Sequence, residues 1–400
     1  MSVYIQNIAC MVPPTSYSQS FIKDKMKGWL KGSARLNRCI DSIYNHSCIQ
    51  QRHSVIPDAD AFFRVSGDGD FSVPTTKARN DMYTQAAKKM SVDLATEALA
   101  GCPNAYFNQI THLITVSCTG FFNPGPDYEI IKSLNLNKSI QRYSIGFMGC
   151  YAAFPALRLA RAICRSDPDA TVLIIVLELC TLHAQLTRDL DSIRSGAIFA
   201  DGGAGVVVST KKPGPNRKVL ELEHFESMLI PDTHDDMAWT IGDSGFEMAL
   251  SKYVPKIIEA NIPAILNPIL RRRAIDISRI DHWAVHPGGK AILDRIESSL
   301  GLEDCLRESR SVLKRYGNMS SPTVLFVLKQ ILQKPAARPR ESVLSMAFGP
   351  GLTVEVAFLT KITTPAAAKE KREPAAPPSP FSPSGDSFSR VQMRPTRGIK

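Results

Sequence analysis

Apolar positions along the first 360 residues recur at two spacings, and each spacing predicts an element type. MSVYIQNIACMV at the N-terminus alternates as a strand does. Residues 18–45 and 81–100 keep helical spacing. HLITVSCTG (112–120) is rich in β-branched residues and stops at glycine, which predicts a buried strand. FFNPGPDYEIIKSLNL (121–136) turns through two prolines into another helix. Residues 151–165 carry Phe154, Leu157, Ala160, Ala162 and Ile163 near helical spacing, so an amphipathic helix follows Cys150. TVLIIVLEL (171–179) is apolar almost throughout, as expected of a strand covered on both faces, with Glu178 and then Cys180 at its end. SGAIFADGGAGVVVST (195–210) reads as a glycine-rich turn into a further strand.

A second series begins after KKPGPNR (211–217), the clearest internal boundary. It predicts a strand at 218–228, helices at 245–260 and 263–273, and a short strand at 281–285. Helices at 288–300 and 320–332 follow, then two strands within 342–361 joined by a Gly-Pro-Gly turn. Strands and helices alternating twice over predict an α/β chain of two similar βαβ-type halves, 1–215 and 216–362. Beyond them, residues 363–400 are rich in Pro, Ser, Ala and charge, with almost no periodic apolar pattern, and read as a disordered basic tail.

Composition narrows the class. The 400 residues are 44% hydrophobic and 22% charged, ordinary for a globular enzyme. Net charge is +10, of which the last 40 residues hold half. The folded part is mildly basic, which suits an anionic ligand and gives no support to nucleic-acid binding. Nine scattered cysteines, odd in number and without CxxC pairs, argue against a disulfide framework and a metal site, and fit a reducing cytoplasm. No signal peptide and no apolar run near 20 residues is visible, so no membrane insertion is expected.

Three residues stand where chemistry is usually placed. Cys150 lies between Gly149 and the predicted helix, at a helix N-terminus where unpaired N–H groups lower a thiol pKa. Its plain alternative is a packed core cysteine. His286, in WAVHPGGKAILD, ends a strand ahead of a turn into a helix, a place that favours the neutral imidazole. Asn318, in YGNMSSPTVLFVL, stands where a loop enters a helix. A structural histidine and an N-cap asparagine are the plain alternatives there.

GCYAA, AVHPGG, YGNMSS and FGPGLTVE, in this order and at these separations, resemble the type III polyketide synthases, the chalcone synthase-like enzymes of the thiolase superfamily. The resemblance spans residues 3 to 360. It implies a thiolase fold with a five-layer αβαβα core, a homodimer, and a catalytic triad of Cys150, His286 and Asn318. It further implies acyl transfer from acyl-CoA and malonyl-CoA with no carrier protein and no other cofactor. Phe199 and Phe246 match the family's gating phenylalanines. Gly349-Pro350-Gly351 matches its cyclisation-pocket turn, with Phe348 in register. Asn123 stands where the family lends a residue across the dimer interface, usually Met. Cys118, Cys180 and His183 replace threonines of the plant enzymes beside Glu178. ELCTLH, AWTIGDSGFEM and LSKYVP are similar to bacterial members that take fatty acyl starters and make alkylpyrones or alkylresorcinols. The basic residues that hold CoA phosphates in plant members lack clear counterparts near Ser42 and His46, and Arg38 or Arg52 is expected to serve instead.

Three other readings compete. A 3-oxoacyl carrier-protein synthase shares the triad types and extends once, but lacks the HPGG and GPG motifs. A Cys-His-Asn hydrolase would carry the protease active-site motif, which is absent here. A non-catalytic thiolase-fold interaction protein has no need of all three site residues.

Overall fold

Two half-sheets built on the same strand plan are hydrogen-bonded edge to edge. The computed structural model describes residues 1–64, 72–102 and 104–366. In chain order the first half runs β1 (Tyr4–Met11), β2 (Thr15–Ser18), α1 (Gln19–Leu30), α2 (Ala34–Asn45), β3 (Gln51–Ser54), α3 (Ala59–Phe62), α4 (Thr76–Ala100), β4 (His112–Ser117), α5 (Pro126–Ser133), β5 (Gln141–Gly146), α6 (Ala153–Ser166), β6 (Thr171–Leu179), α7 (Leu190–Ile198) and β7 (Asp201–Ser209). The second half runs β8 (Lys218–Leu229), β9 (Met237–Gly242), β10 (Gly245–Leu250), α8 (Val254–Arg272), β11 (His282–Val285), α9 (Lys290–Leu300), α10 (Arg307–Tyr316), α11 (Thr323–Gln333), β12 (Arg340–Gly349) and β13 (Thr353–Thr363).

In the first half β1 pairs antiparallel with β7, β7 antiparallel with β6, and β6 parallel with β4, which carries β5 as a further parallel edge. The second half repeats this: β8 antiparallel with β13, β13 antiparallel with β12, β12 parallel with β11. The halves join through two residue pairs, Tyr4 with Glu221 and Ile5 with Leu220, so the whole is one nine-stranded sheet.

Strand alternation sorts the core into layers. Val172, Ile174 and Val176 of β6 face one way, into a core shared with Leu157 and Ala160 of α6, Val324 and Leu328 of α11, and Val343 and Leu359 of the second half. Leu173, Ile175 and Leu177 face the other way, against Leu94 and Ala98 of α4 and Ile40 of α2. Leu344 and Met346 of β12 turn away from the shared core to meet Ile258 and Leu266 of α8 and Leu293 of α9. The order is therefore helix, sheet, helix, sheet, helix, the expected five layers, with α6 and α11 in the middle.

Several elements depart from expectation. DGGAG is not a turn but the start of β7. A Cβ on Gly205 would lie 2.7 Å from the Leu94 carbonyl and 2.8 Å from Ala98 Cβ, so the glycines let α4 lie close on the sheet. The region 18–45 divides into two helices, each opened by a serine, Ser18 and Ser33, whose hydroxyl takes a backbone N–H of its first turn. Residues 245–250 are a strand, not a helix: they pair with β9 from Gly245↔Gly242 to Leu250↔Met237. Helix α8 continues through Pro263, where a break was expected, and through Pro268. The region 141–146 gave no strand signal because its side chains are polar and it forms an exposed sheet edge. Most of the expected tail, from 367 on, lies outside the described residues. Among the described residues no helix is long and apolar enough to cross a membrane.

Candidate active site

Cys150 stands in the turn that leads from β5 to α6, three residues ahead of the helix. Gly149 makes the approach possible. It has φ +81°, and a Cβ there would come 2.3 Å from Pro350 Cδ. Gly349 packs from the other side, where a Cβ would lie 2.5 Å from Tyr151 Cδ1. The 349–351 turn and the approach to Cys150 thus seat each other. The expected lowering of the thiol pKa is not found. Burial pushes Cys150 up to about 11, the Glu178 charge adding to the effect, while side-chain hydrogen bonds from Ser320 and Asn318 oppose it. The sulfur lies before the first turn of α6, and its loss of solvent outweighs any helix field.

His286 follows β11 directly, its N–H donating to Met346 O at 2.8 Å. It is 1% exposed, and burial holds its pKa down to about 3, so the ring is neutral. The expectation of neutrality was right, with desolvation as its cause. Neither Nδ1 nor Nε2 has a hydrogen-bond partner among the described residues. A buried ring with two uncommitted nitrogens has its polarity directed at the cavity beside it.

Asn318 is bridged to the first half. Its N–H donates to Ile198 O and its carbonyl accepts from Ala200 N–H, each at 2.9 Å. It does not cap α11, which starts after Pro322. The side chain is oriented by Ser320, whose backbone N–H donates to Oδ1 at 2.8 Å. Nδ2 is thereby turned towards Gly288 O, at 3.4 Å, and the Cys150 sulfur. Gly288 also flanks the imidazole, since a Cβ on it would lie 3.7 Å from His286 Nε2.

Cys150, His286 and Asn318 line one inner chamber of about 40 Å³ with Cys118, Cys180, Phe199, Phe348, Pro350 and Ser320. An outer cavity of about 660 Å³ includes Arg52, His183 and Phe246 in its walls. Cys180, Phe199, Trp239 and Met248 belong to both linings and form a neck between them. Gly349 and Gly351 support the turn without lining the chamber.

Glu178 lies behind the chamber, fully buried. It accepts Cys118 N–H at 2.9 Å, the Thr119 hydroxyl at 2.8 Å and the Ser321 hydroxyl at 2.6 Å. Burial raises its pKa to about 7 despite these bonds. Cys118 and Cys180 are also pushed well up, by burial and then by the Glu178 charge. All nine cysteines are free.

His183 is fixed as one tautomer. Nδ1 accepts Phe246 N–H at 3.0 Å, so Nε2 carries the proton and donates to Thr119 O at 2.7 Å. Its ring stacks on Phe246 with centroids 4.1 Å apart.

The two basic residues expected at CoA phosphates are placed differently. Arg52 is buried, and its guanidinium is committed to Gln19 Oε1, Gly196 O and Phe199 O. Through Nη1 it holds the Phe199 backbone, and it stands in the wall of the outer cavity. Arg38 is exposed on α2 and lines neither cavity. Lys27 and Lys23 of α1 pair with Asp41, and Lys25 pairs with Asp60. Asn123 is exposed. Trp239, Met248 and Ser320 were not singled out from sequence. Trp239 and Met248 fall in AWTIGDSGFEM, a stretch whose alternation predicts a hairpin once Gly-Asp-Ser-Gly is read as its turn.

Repeated half-sheets around two shared helices, with a thiol, an imidazole and a carboxamide from both halves in one chamber, define a thiolase-fold acyltransferase. The chain belongs to the chalcone and stilbene synthases, the type III polyketide synthases: residues 7–212 match the family's N-terminal domain and 221–363 its C-terminal domain. It is 32% identical over 359 residues to the alpha-pyrone synthesis polyketide synthase-like Pks18 of Mycobacterium tuberculosis, covering 88% of this chain and 89% of that protein. Among solved structures it is similar to the C-terminal type III polyketide synthase domain of Steely1 from Dictyostelium (TM-score 0.82, 27% identity, 91% of this chain and 100% of that one). It is also similar to 1,3,6,8-tetrahydroxynaphthalene synthase of Streptomyces coelicolor A3(2) (TM-score 0.81, 27% identity, 91% and 100%).

Proposed function

We propose that this type III polyketide synthase extends a fatty acyl-CoA starter with malonyl-CoA and cyclises the chain to an alkylpyrone or alkylresorcinol. The observation that carries the reading is the single chamber shared by Cys150, His286 and Asn318 behind a neck leading to a much larger cavity. The starter's thioester carbonyl is attacked by Cys150 sulfur as the thiol proton passes to His286, whose nitrogens are uncommitted. That proton leaves with the CoA thiolate, and the imidazole returns to neutral. Malonyl-CoA then loses CO₂, and its enolate oxygen takes hydrogen bonds from His286 and from Asn318 Nδ2. The carbanion attacks the Cys150 thioester, and the chain returns to CoA two carbons longer. After two or three rounds it closes into a ring.

The fatty acyl starter draws support from the apolar residues Ile22, Met26, Trp29, Ile56, Phe63 and Leu186 in the outer cavity's wall, and a pyrone product from the α-pyrone description of the Mycobacterium relative. Of the two expected gating residues Phe199 stands at the neck, whereas Phe246 lines only the outer cavity, so Trp239 is read as the second gate residue. A homodimer is part of the reading. The exposed edge β5, with Tyr143 on it and Phe121 and Phe147 beside it, supports pairing of two copies. The test is incubation of the protein with malonyl-CoA and acyl-CoA esters of graded length, without carrier protein, with products read by mass spectrometry. Pyrones or resorcinols with alkyl tails are expected, and Cys150→Ala should give none. Products formed only from carrier-protein substrates would overturn the reading.

A further inference from the structure

Helix α4 enters the site from a side the mechanism does not use. Arg79, in its first turn, is completely buried, yet it lines neither cavity. Burial is the sole cause of its shift down to about 10, with no charged partner contributing, and its Nη2 has no hydrogen-bond partner among the described residues. Among the described residues no carboxylate faces it and its guanidinium lies over the Phe62 ring, 5.3 Å from the centroid; burying a cation so is costly, so its retention asks for a reason beyond packing.

Its contacts supply one. Nη1 donates to the carbonyls of Leu182 and, at 3.0 Å, Ala184, the residues on either side of His183. Nε donates to Pro74 O at 2.9 Å. On the other side lies Gly245, the first residue of β10, at φ +106°. A Cβ there would come 2.9 Å from Arg79 Cδ. One turn earlier in α4, Thr76 bonds the same hairpin: its N–H donates to Asp243 O at 2.7 Å, its hydroxyl donates to Gly242 O, and it accepts Gly245 N–H at 2.8 Å. The hairpin β9–β10 belongs to the second half in sequence, but these bonds anchor it to the first. From it, Phe246 reaches His183, and Trp239 donates Nε1–H to Cys118 O at 2.8 Å across the chamber wall.

We propose that Arg79 is a positioning residue for starter selection: it fixes the His183 turn and the Gly245 turn against each other, and so sets how far Trp239 and Met248, paired across the hairpin, stand from the opposite wall of the neck. The proposal rests on the reading above, in which the starter passes this neck. Arg79 touches no substrate. It governs which acyl chains pass, and leaves the enolate-forming groups after β11 and before α11 alone.

Two variants test it. Arg79→Met keeps the length and removes the donors. Gly245→Ala keeps every donor and pushes a methyl against the arginine from the hairpin side. Each is assayed for kcat/KM across short, medium and long acyl-CoA starters, and for malonyl-CoA decarboxylation without starter. In both variants the ratio between best and worst starter should shrink at least fivefold, while decarboxylation stays within about threefold of wild type. Arg79→Lys should restore part of the selectivity. Unchanged starter ratios in Gly245→Ala, with that variant folded, would overturn the proposal even if Arg79→Met fails to fold. Equal loss of decarboxylation and starter use in both would overturn it as well. Failure of the wild type to turn over malonyl-CoA would instead sink the reading on which it rests.

Discussion

A thiol that titrates near 11 and an imidazole that titrates near 3 stay neutral together at pH 7. In the resting chain the sulfur therefore acquires its charge as it attacks, with His286 taking the proton in the same event. Alkylation of Cys150 by iodoacetamide, read on its own peptide, should accelerate with pH and still be rising at about pH 9. A plateau below pH 7 would reveal a preformed thiolate–imidazolium pair. Asn318 tests the other half of the chemistry. Asn318→Ala should lower malonyl-CoA decarboxylation by about 10²–10³, the usual effect of losing one oxyanion donor. Loss of less than tenfold would remove the amide from that role. Cys150, His286 and Asn318 each stand at an element end, but it was the family resemblance carried by GCYAA, AVHPGG and YGNMSS that singled them out together. Ser320 was not. Its importance comes from an N–H that orients Asn318 and a hydroxyl that reaches sulfur, and both are tertiary facts.

At the scale of elements, buried strands announced themselves and exposed ones did not. β6 is apolar on both faces, and its bounds agree with those read from sequence. β5 has polar side chains and an open edge, so no periodicity marks it. β10 was misread as the start of a helix because Phe246, Met248 and Leu250 alternate over too short a run to stand out from the helix that follows, and β9 was not read at all. Pro263 looked like a break, yet α8 passes through it with Ile258, Ile262, Leu266 and Leu270 buried, so tertiary packing outweighs the lost backbone bond. The contact between the Cys150 turn and the 349–351 turn gives a prediction for elements. Gly149→Ala places a methyl on Pro350 at a backbone angle hostile to side chains. It should cost about 1–3 kcal/mol in urea unfolding and abolish activity in the protein that remains folded. Wild-type turnover in that variant would show that the two turns need not meet.

For the whole molecule, four buried groups set how stability follows pH. Glu178 and Asp201 titrate near 7 and 6 when folded, against 4.5 and 3.8 as free side chains, with burial as the leading cause. The folded state holds their protons more tightly, so what they contribute is present at low pH and is lost as pH rises from about 4 to about 7. His183 and His286 titrate near 4 and 3 against 6.5, again through burial. Their contribution is present above about 6.5 and is lost as pH falls towards 4. The two pairs oppose each other, and the wild-type profile should be flat across that range. Glu178→Gln unbalances it. Whatever its offset at pH 5, its stability relative to wild type should rise by on the order of a few kcal/mol by pH 8 in denaturant melts. A constant offset would mean that Glu178 is ionised throughout.

The duplicated plan also decides how the molecule fails on heating. Sulfur is carried by one half, imidazole and carboxamide by the other, and among the described residues the sheet between them is paired at Tyr4–Glu221 and Ile5–Leu220, with one more bond from Leu222 N–H to Val3 O. Chemistry thus depends on a seam. A small slip along α6 and α11 silences it while each half keeps its own strands and helices, so turnover should fade several degrees before the circular dichroism signal does.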